Sequence, residues 1–246
     1  MSPIPSRLFK YLDGDGAKAF LEKPQIRFKD WRKLDDSMEI LPGFRALTET
    51  EIKHHAAAKY QQCQGKISLE KCEIFVRALS NLDPLYLEKE MRAIFNETEP
   101  TLFVNSMSAR PDSGALWAHY AENHKGLVFG LGKVFSKLTE QHRLSFKEIT
   151  YSDARPQMGF PVVDVNALKQ SIYTKCVDWR YQAEWRMVND KADPIFIEPS
   201  EVDEVIVGFN ASADIRDLAI PMKPHGVSVS QAYPDPKLHK VSFKPL

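Results

Sequence analysis

The densest run of side chains able to do chemistry is WRYQAEWRMV, residues Trp179–Val188. Trp179, Tyr181, Ala183, Trp185 and Met187 alternate with Arg180, Gln182, Glu184 and Arg186. Successive strand residues point to opposite faces. The alternation therefore predicts a strand with one aromatic, buried face and one face carrying Gln182, Glu184 and Arg186 side by side. Polar groups anchored on a rigid element can hold a ligand hydroxyl or stabilise developing positive charge. The plainer alternative is a half-exposed strand whose polar face meets water. Ser106 and Ser108 end a predicted strand, Thr101–Met107, and put two hydroxyls on one face, where they can orient a carboxylate or a sugar hydroxyl. Most S-x-S pairs are solvated strand edges. On a helix, Trp117, Tyr120 and His124 share a face. That face is either an aromatic wall for a planar ligand, with His119 or His124 as acid, base or donor, or simply core, the commoner fate of large aromatics. Asp35, Asp36 and Glu39 form an acidic cluster, but no third or fourth ligand at suitable spacing accompanies them. A turn or capping role is expected, and no metal.

These groups need positioning elements, and the sequence marks them. Arg7–Leu12 reads as a first strand, Lys18–Leu21 as part of a short helix, and Ile26–Phe28 as a second strand. Thr48 followed by Glu51 reads as a capping box that opens a helix running through Tyr60. A second helix fits Leu69–Leu82, with Ile74, Phe75, Ala78 and Leu79 at core spacing. Asp83-Pro84 caps a third, ending near Phe95. Residues 48–97 thus form a helical block. Ser113 caps a helix through Ala121. Gly126–Gly130 and Phe146–Tyr151 read as strands, Val165–Cys176 as a helix, and Glu204–Gly208 and Val227–Ala232 as late strands. The helices are grouped and the strands lack βαβ alternation. The expected class is α+β: a single domain over residues 1–246, with a mixed or antiparallel bent sheet and the helical block inserted.

Composition narrows the function. The 246 residues include 33 Lys plus Arg against 33 Asp plus Glu. This balance argues against strong non-specific nucleic-acid binding, which relies on excess basic charge. No apolar stretch approaches the ~20 residues that span a bilayer, and the N-terminus lacks the features of a secretory signal. Cys63, Cys72 and Cys176 are an odd count without metal-type spacing, and read as free thiols in a reducing cytoplasm. There is no P-loop, G-x-G-x-x-G, H-E-x-x-H, G-x-S-x-G or paired C-x-x-C motif.

Several blocks resemble the bacterial domain-of-unknown-function family DUF2971. They are LFKYL (8–12), KLDDSME (33–39), VNSMSARPDSGALWAHYAENHKGLVFGL (104–131), ITYSDARP (149–156), KCVDWRYQAEWRMV (175–188) and EVIVGF (204–209). They keep the family's order over most of the chain. Asp35 and Ser37 stand where the family often has Asn and Pro, and Gln182 where it often has Glu. The family carries no assigned activity.

The order of motifs is also similar to that of the arginine-type ADP-ribosyltransferases: a basic residue on an early strand (Arg7 or Lys10), then Ser106-x-Ser108, then Gln182-x-Glu184. That resemblance implies NAD as substrate, bound in a cleft of a split, bent sheet. Glu184 would hold the ribose hydroxyl and stabilise an oxocarbenium-like centre, and Ser106 would orient it. Lys10, Arg7 or Arg186 would meet phosphate or ribose, Ser108 would line the cofactor site, Trp117 or Tyr120 would stack on a ring, and Gln182 would touch an acceptor that the sequence does not identify. A bacterial toxin or phage-defence effector is the implied setting. A second expectation is a non-enzymatic binding domain, in which Glu184 and Arg186 pair structurally and His119 bonds the backbone. A third is a metal-dependent hydrolase or nuclease built on Asp35, Asp36, Glu39, His119 and Glu184.

Overall fold

A computed structural model describes residues 3–36, 38–97, 102–161 and 164–246. The chain divides into two compact units, one of residues 1–33, 101–149 and 177–246, the other of 34–100 and 150–176. The fold is α+β with a mixed sheet.

The first unit is built on a nine-stranded sheet. Its strands are β1 (Leu8–Leu12), β2 (Lys29–Asp30), β3 (Phe103–Ser108), β4 (Leu127–Leu131), β5 (Phe146–Glu148), β6 (Glu184–Asn189), β7 (Glu204–Val207), β8 (Ser228–Pro234) and β9 (Val241–Pro245). The order is β9-β8-β7-β4-β1-β3-β6-β5, with β2 also pairing β3. Only β7 and β8 run parallel; the other pairs are antiparallel.

Each strand's alternation feeds two cores. Leu8, Phe129, Leu127, Val205, Met107, Trp185 and Met187 face the larger one, which the helices Gly14–Glu22, Phe135–Gln141 and Ala213–Ala219 cover with Ala17, Phe20, Leu138 and Ile215. Phe9, Tyr11, Val128, Ile206 and Ala232 face the other, closed by Leu116 and Trp117 of the helix Gly114–Tyr120. That helix starts where expected, with Ser113 Oγ accepting from Leu116 N–H.

The middle of the sheet is nearly divided. β1 and β4 register over five residue pairs, Leu8↔Leu131 to Leu12↔Leu127, whereas β1 meets β3 at the single pair Phe9↔Ser108. Beyond that pair the backbone ladder stops, and Lys10 Nζ donates to the Ser106 carbonyl at 2.7 Å.

The strand expected over Trp179–Val188 is half right. Val177–Gln182 is a 3-10 helix, Ala183 has φ of +42°, and β6 begins at Glu184. The cause lies in the partner. β3 ends at Ser108, opposite Glu184, so residues before Glu184 have no neighbouring strand to pair with. Instead Ser108 Oγ donates to the Gln182 carbonyl at 2.6 Å and Ala109 N–H to the Ala183 carbonyl at 3.0 Å, fastening the turn.

The second unit holds the helical block, with helices Glu49–Gln62, Leu69–Ser80 and Pro84–Glu97. The Thr48–Glu51 capping box forms in both directions. Asp83 Oδ1 accepts from Leu85 N–H at 2.9 Å. Leu69–Ser80 packs differently from expectation. Cys72 and Val76 join Leu47, Ile52 and Ala56 in a small core, while Ile74 and Phe75 are exposed. The apolar stripe is broad, and the neighbouring helix Glu49–Gln62 covers only the Cys72–Val76 side. Two short parallel ladders, Gly43–Arg45 with Gln157–Gly159 and Thr150–Tyr151 with Thr174–Lys175, complete the unit. The helix expected over Val165–Cys176 stops at Ile172, because Thr174 and Lys175 enter the second of these ladders. Thr101 and Ser37, used in the sequence reading, lie outside the described residues.

Candidate functional site

β3 and β6 lie side by side with Glu184 opposite Ser108 and Arg186 opposite Ser106. Residues two apart on a strand share a face, so these four side chains share one face of the sheet, next to the point where β1 leaves β3. Gln182 joins them from the turn: its Nε2 donates to the Tyr120 hydroxyl at 2.8 Å. His119, exposed on the same helix, has Nδ1 at 3.1 Å from the Tyr181 hydroxyl, a side-chain partner where the binding-domain expectation placed a backbone one. Register and these bonds bring Ser106, Ser108, Tyr120, Gln182, Glu184 and Arg186 side by side, and His119 meets Tyr181 next to them.

Glu184 is locked by its neighbour. Arg186 donates to its Oε1 from Nε at 2.9 Å and from Nη2 at 2.7 Å. Glu184 is 3% exposed and Arg186 0%. Removing two charges from water is costly unless geometry and hydrogen bonds compensate. Two donors converging on one carboxylate oxygen supply that geometry and hold the start of β6 rigid. Ser108 is committed as well: it donates to the Gln182 carbonyl, and its Oγ accepts from Arg110 N–H at 3.0 Å.

Two basic candidates lie elsewhere. Phe9 pairs with Ser108, so Lys10, the next residue, points to the opposite face from Ser108 and Glu184. Arg7 donates to Glu204 Oε2 at 2.8 Å, on β7, to the side of β1 away from β3. One residue of strand register decides the face on which Lys10 lies.

Trp117 is core rather than wall: it is 0% exposed, its Nε1 donates to the Pro111 carbonyl at 2.8 Å, and Tyr11 meets it edge-on at 5.6 Å. His124 does join it, but not by helical spacing. The helix ends at Tyr120, and Glu122, Asn123 and His124 take φ between +50° and +66°. This left-handed reversal folds the His124 ring flat against Trp117, with centroids at 5.4 Å, and against Phe209 at 4.1 Å. Burial pushes the imidazole pKa below its ordinary value. The neutral ring is favoured in the folded state, whereas the unfolded chain takes up a proton near the usual pKa of about 6.5. Stability is therefore held above that value and lost as the pH falls below it. The drop in Tm between pH 7.5 and 5.5 is expected to be smaller for His124→Phe than for the parent protein, by differential scanning calorimetry; equal drops would exclude this role.

Two members of the acidic cluster have partners of their own. Glu39 is buried against Lys175 Nζ at 2.8 Å, and Asp36 Oδ1 accepts from Met38 N–H in a turn. Among the described residues no three His, Cys, Asp or Glu side chains gather as a metal-holding group.

The sequence reading missed Asn105. It stands on β3 between Phe103 and Met107, on the face that otherwise enters the larger core. An amide in an apolar row was the available signal.

Compared with family models, curated proteins and solved structures, the chain gives no match. Among the described residues no helix is long and apolar enough to cross a membrane.

Proposed function

We propose that this protein is a ligand-binding domain in which Glu184 is a structural rather than a catalytic carboxylate. The supporting observation is the buried Glu184–Arg186 pair, with two guanidinium bonds on one carboxylate oxygen. A group that must take up a ribose hydroxyl and meet developing positive charge needs to face substrate. Glu184, covered and held by a neighbouring cation, is poorly suited to that role.

A second reading, NAD-dependent ADP-ribosyl transfer, is favoured by one observation. The S-x-S strand and Glu184 are adjacent and in register beside the parting of the sheet. The protein incubated with NAD is expected to release no nicotinamide above the blank, and NAD is expected to leave Tm unchanged. Nicotinamide release that vanishes in Glu184→Gln, with Tm preserved, would establish the second reading and overturn the first.

A further inference from the structure

We infer a small-molecule site in the parting between β1 and β3, on the sheet face opposite Glu184, for a small anion that carries a hydroxyl. A cavity of about 60 Å³ opens there. Its polar side is Lys10, Gln25, Arg27 and Asn105, and its apolar side includes Phe20 and Phe129, whose rings stack at 3.9 Å. A single water needs roughly 10–15 Å³ of such space, so a group of several heavy atoms fits.

Asn105 identifies what the cavity wants. It is 3% exposed, and its Nδ2 donates to the Arg27 carbonyl at 2.8 Å. That bond fixes which end of the amide is which, since a carbonyl oxygen can be met only by the NH₂ end. The other end, Oδ1, is buried and accepts no hydrogen bond among the described residues. A buried acceptor left unmet destabilises a fold, and native structures rarely keep one without a reason. Oδ1 calls for an O–H or N–H donor. The charge of the lining selects the rest of the ligand: Lys10 and Arg27 are cationic, and no Asp or Glu contributes. Arg27 is exposed, at the mouth. A hydroxyl seated on Asn105 with a phosphate or carboxylate toward Lys10 and Arg27 satisfies both demands.

This deepens the binding-domain reading by naming a ligand class and a place. It is tested on the full chain by calorimetric titration with glycerol 3-phosphate, glycerate, sulfate and glycerol. Glycerol 3-phosphate or glycerate is expected to bind about tenfold more tightly than sulfate, an anion without a hydroxyl, the effect of one neutral hydrogen bond at the upper end of its range, and glycerol not measurably. Which of the two binds identifies the anion. Asn105→Leu should remove the preference over sulfate. Arg27→Met, an exposed change that leaves the core intact, should weaken the anion about tenfold and keeps the test decisive if Asn105→Leu does not fold. Absence of binding by both hydroxylated anions, or binding unchanged in Arg27→Met, would overturn the site. The nicotinamide assay concerns the other face of the sheet, so the two readings fail separately.

Discussion

Glu184→Gln is expected to lower the free energy of unfolding by about 3–5 kcal/mol, the cost of leaving one buried partner of an ion pair uncompensated. Arg186 is fully buried and places two donors on the Glu184 carboxylate. An amide oxygen keeps a hydrogen-bond acceptor there but removes the charge that opposes the guanidinium. The double variant Glu184→Leu/Arg186→Met removes both charges, and apolar replacement of a whole buried pair is often near neutral. It should regain most of what the single variant loses. Urea unfolding of the parent, Glu184→Leu, Arg186→Met and the double variant closes the cycle, and a coupling near zero would mean that the pair does not hold β6. By contrast, breaking the exposed pair Lys18–Asp214 should have little effect, because water screens it. The cycle also bears on function: a catalytic carboxylate can commonly be replaced without loss of stability, whereas a structural one cannot.

Trp117→Ala is expected to destabilise by a similar amount, about 3–5 kcal/mol, the range for deleting a large buried aromatic. The substitution opens a cavity between Phe9, Tyr11, Leu116, Val128 and Ile206. It also leaves the Pro111 carbonyl without the indole donor and His124 without one of its two stacking partners. Trp117→Phe fills most of the volume and loses the hydrogen bond, so a smaller loss follows. Thermal and urea unfolding distinguish these outcomes. A Trp117→Ala protein as stable as the parent would instead make Trp117 a ligand-facing wall.

The candidate cluster was legible in part because strand neighbours impose a simple rule. Ser106 and Ser108 had to share a face, and so did Glu184 and Arg186, since side chains two apart on a strand always do. That β3 and β6 would lie adjacent, with Glu184 opposite Ser108, depends on pairing residues 76 positions apart. Nothing in either segment names its partner. Lys10 shows how sharply this matters. The sequence placed it with the serines as a phosphate-binding group, and the register Phe9↔Ser108 turned it to the other face, beside Asn105 and Arg27.

Signals that act within one turn of chain were complete in the sequence. Thr48 and Glu51 cap each other three residues apart, Asp83 caps the turn that Pro84 begins, and Ser113 opens its helix. These bonds form between near neighbours whatever surrounds them, and with the grouping of helices they settle the α+β class. What required the folded chain is everything that depends on a distant neighbour. The alternation from Trp179 to Val188 became strand only from Glu184 onward, because the ladder partner ends at Ser108. Ile74 and Phe75 stayed in solvent because the adjacent helix covers the Cys72–Val76 side. The acid that promised chemistry was placed beside a fully buried guanidinium. Side-chain type and spacing fix what a group is able to do; burial and charge partners, set by packing between segments far apart in the chain, decide which of those things it does.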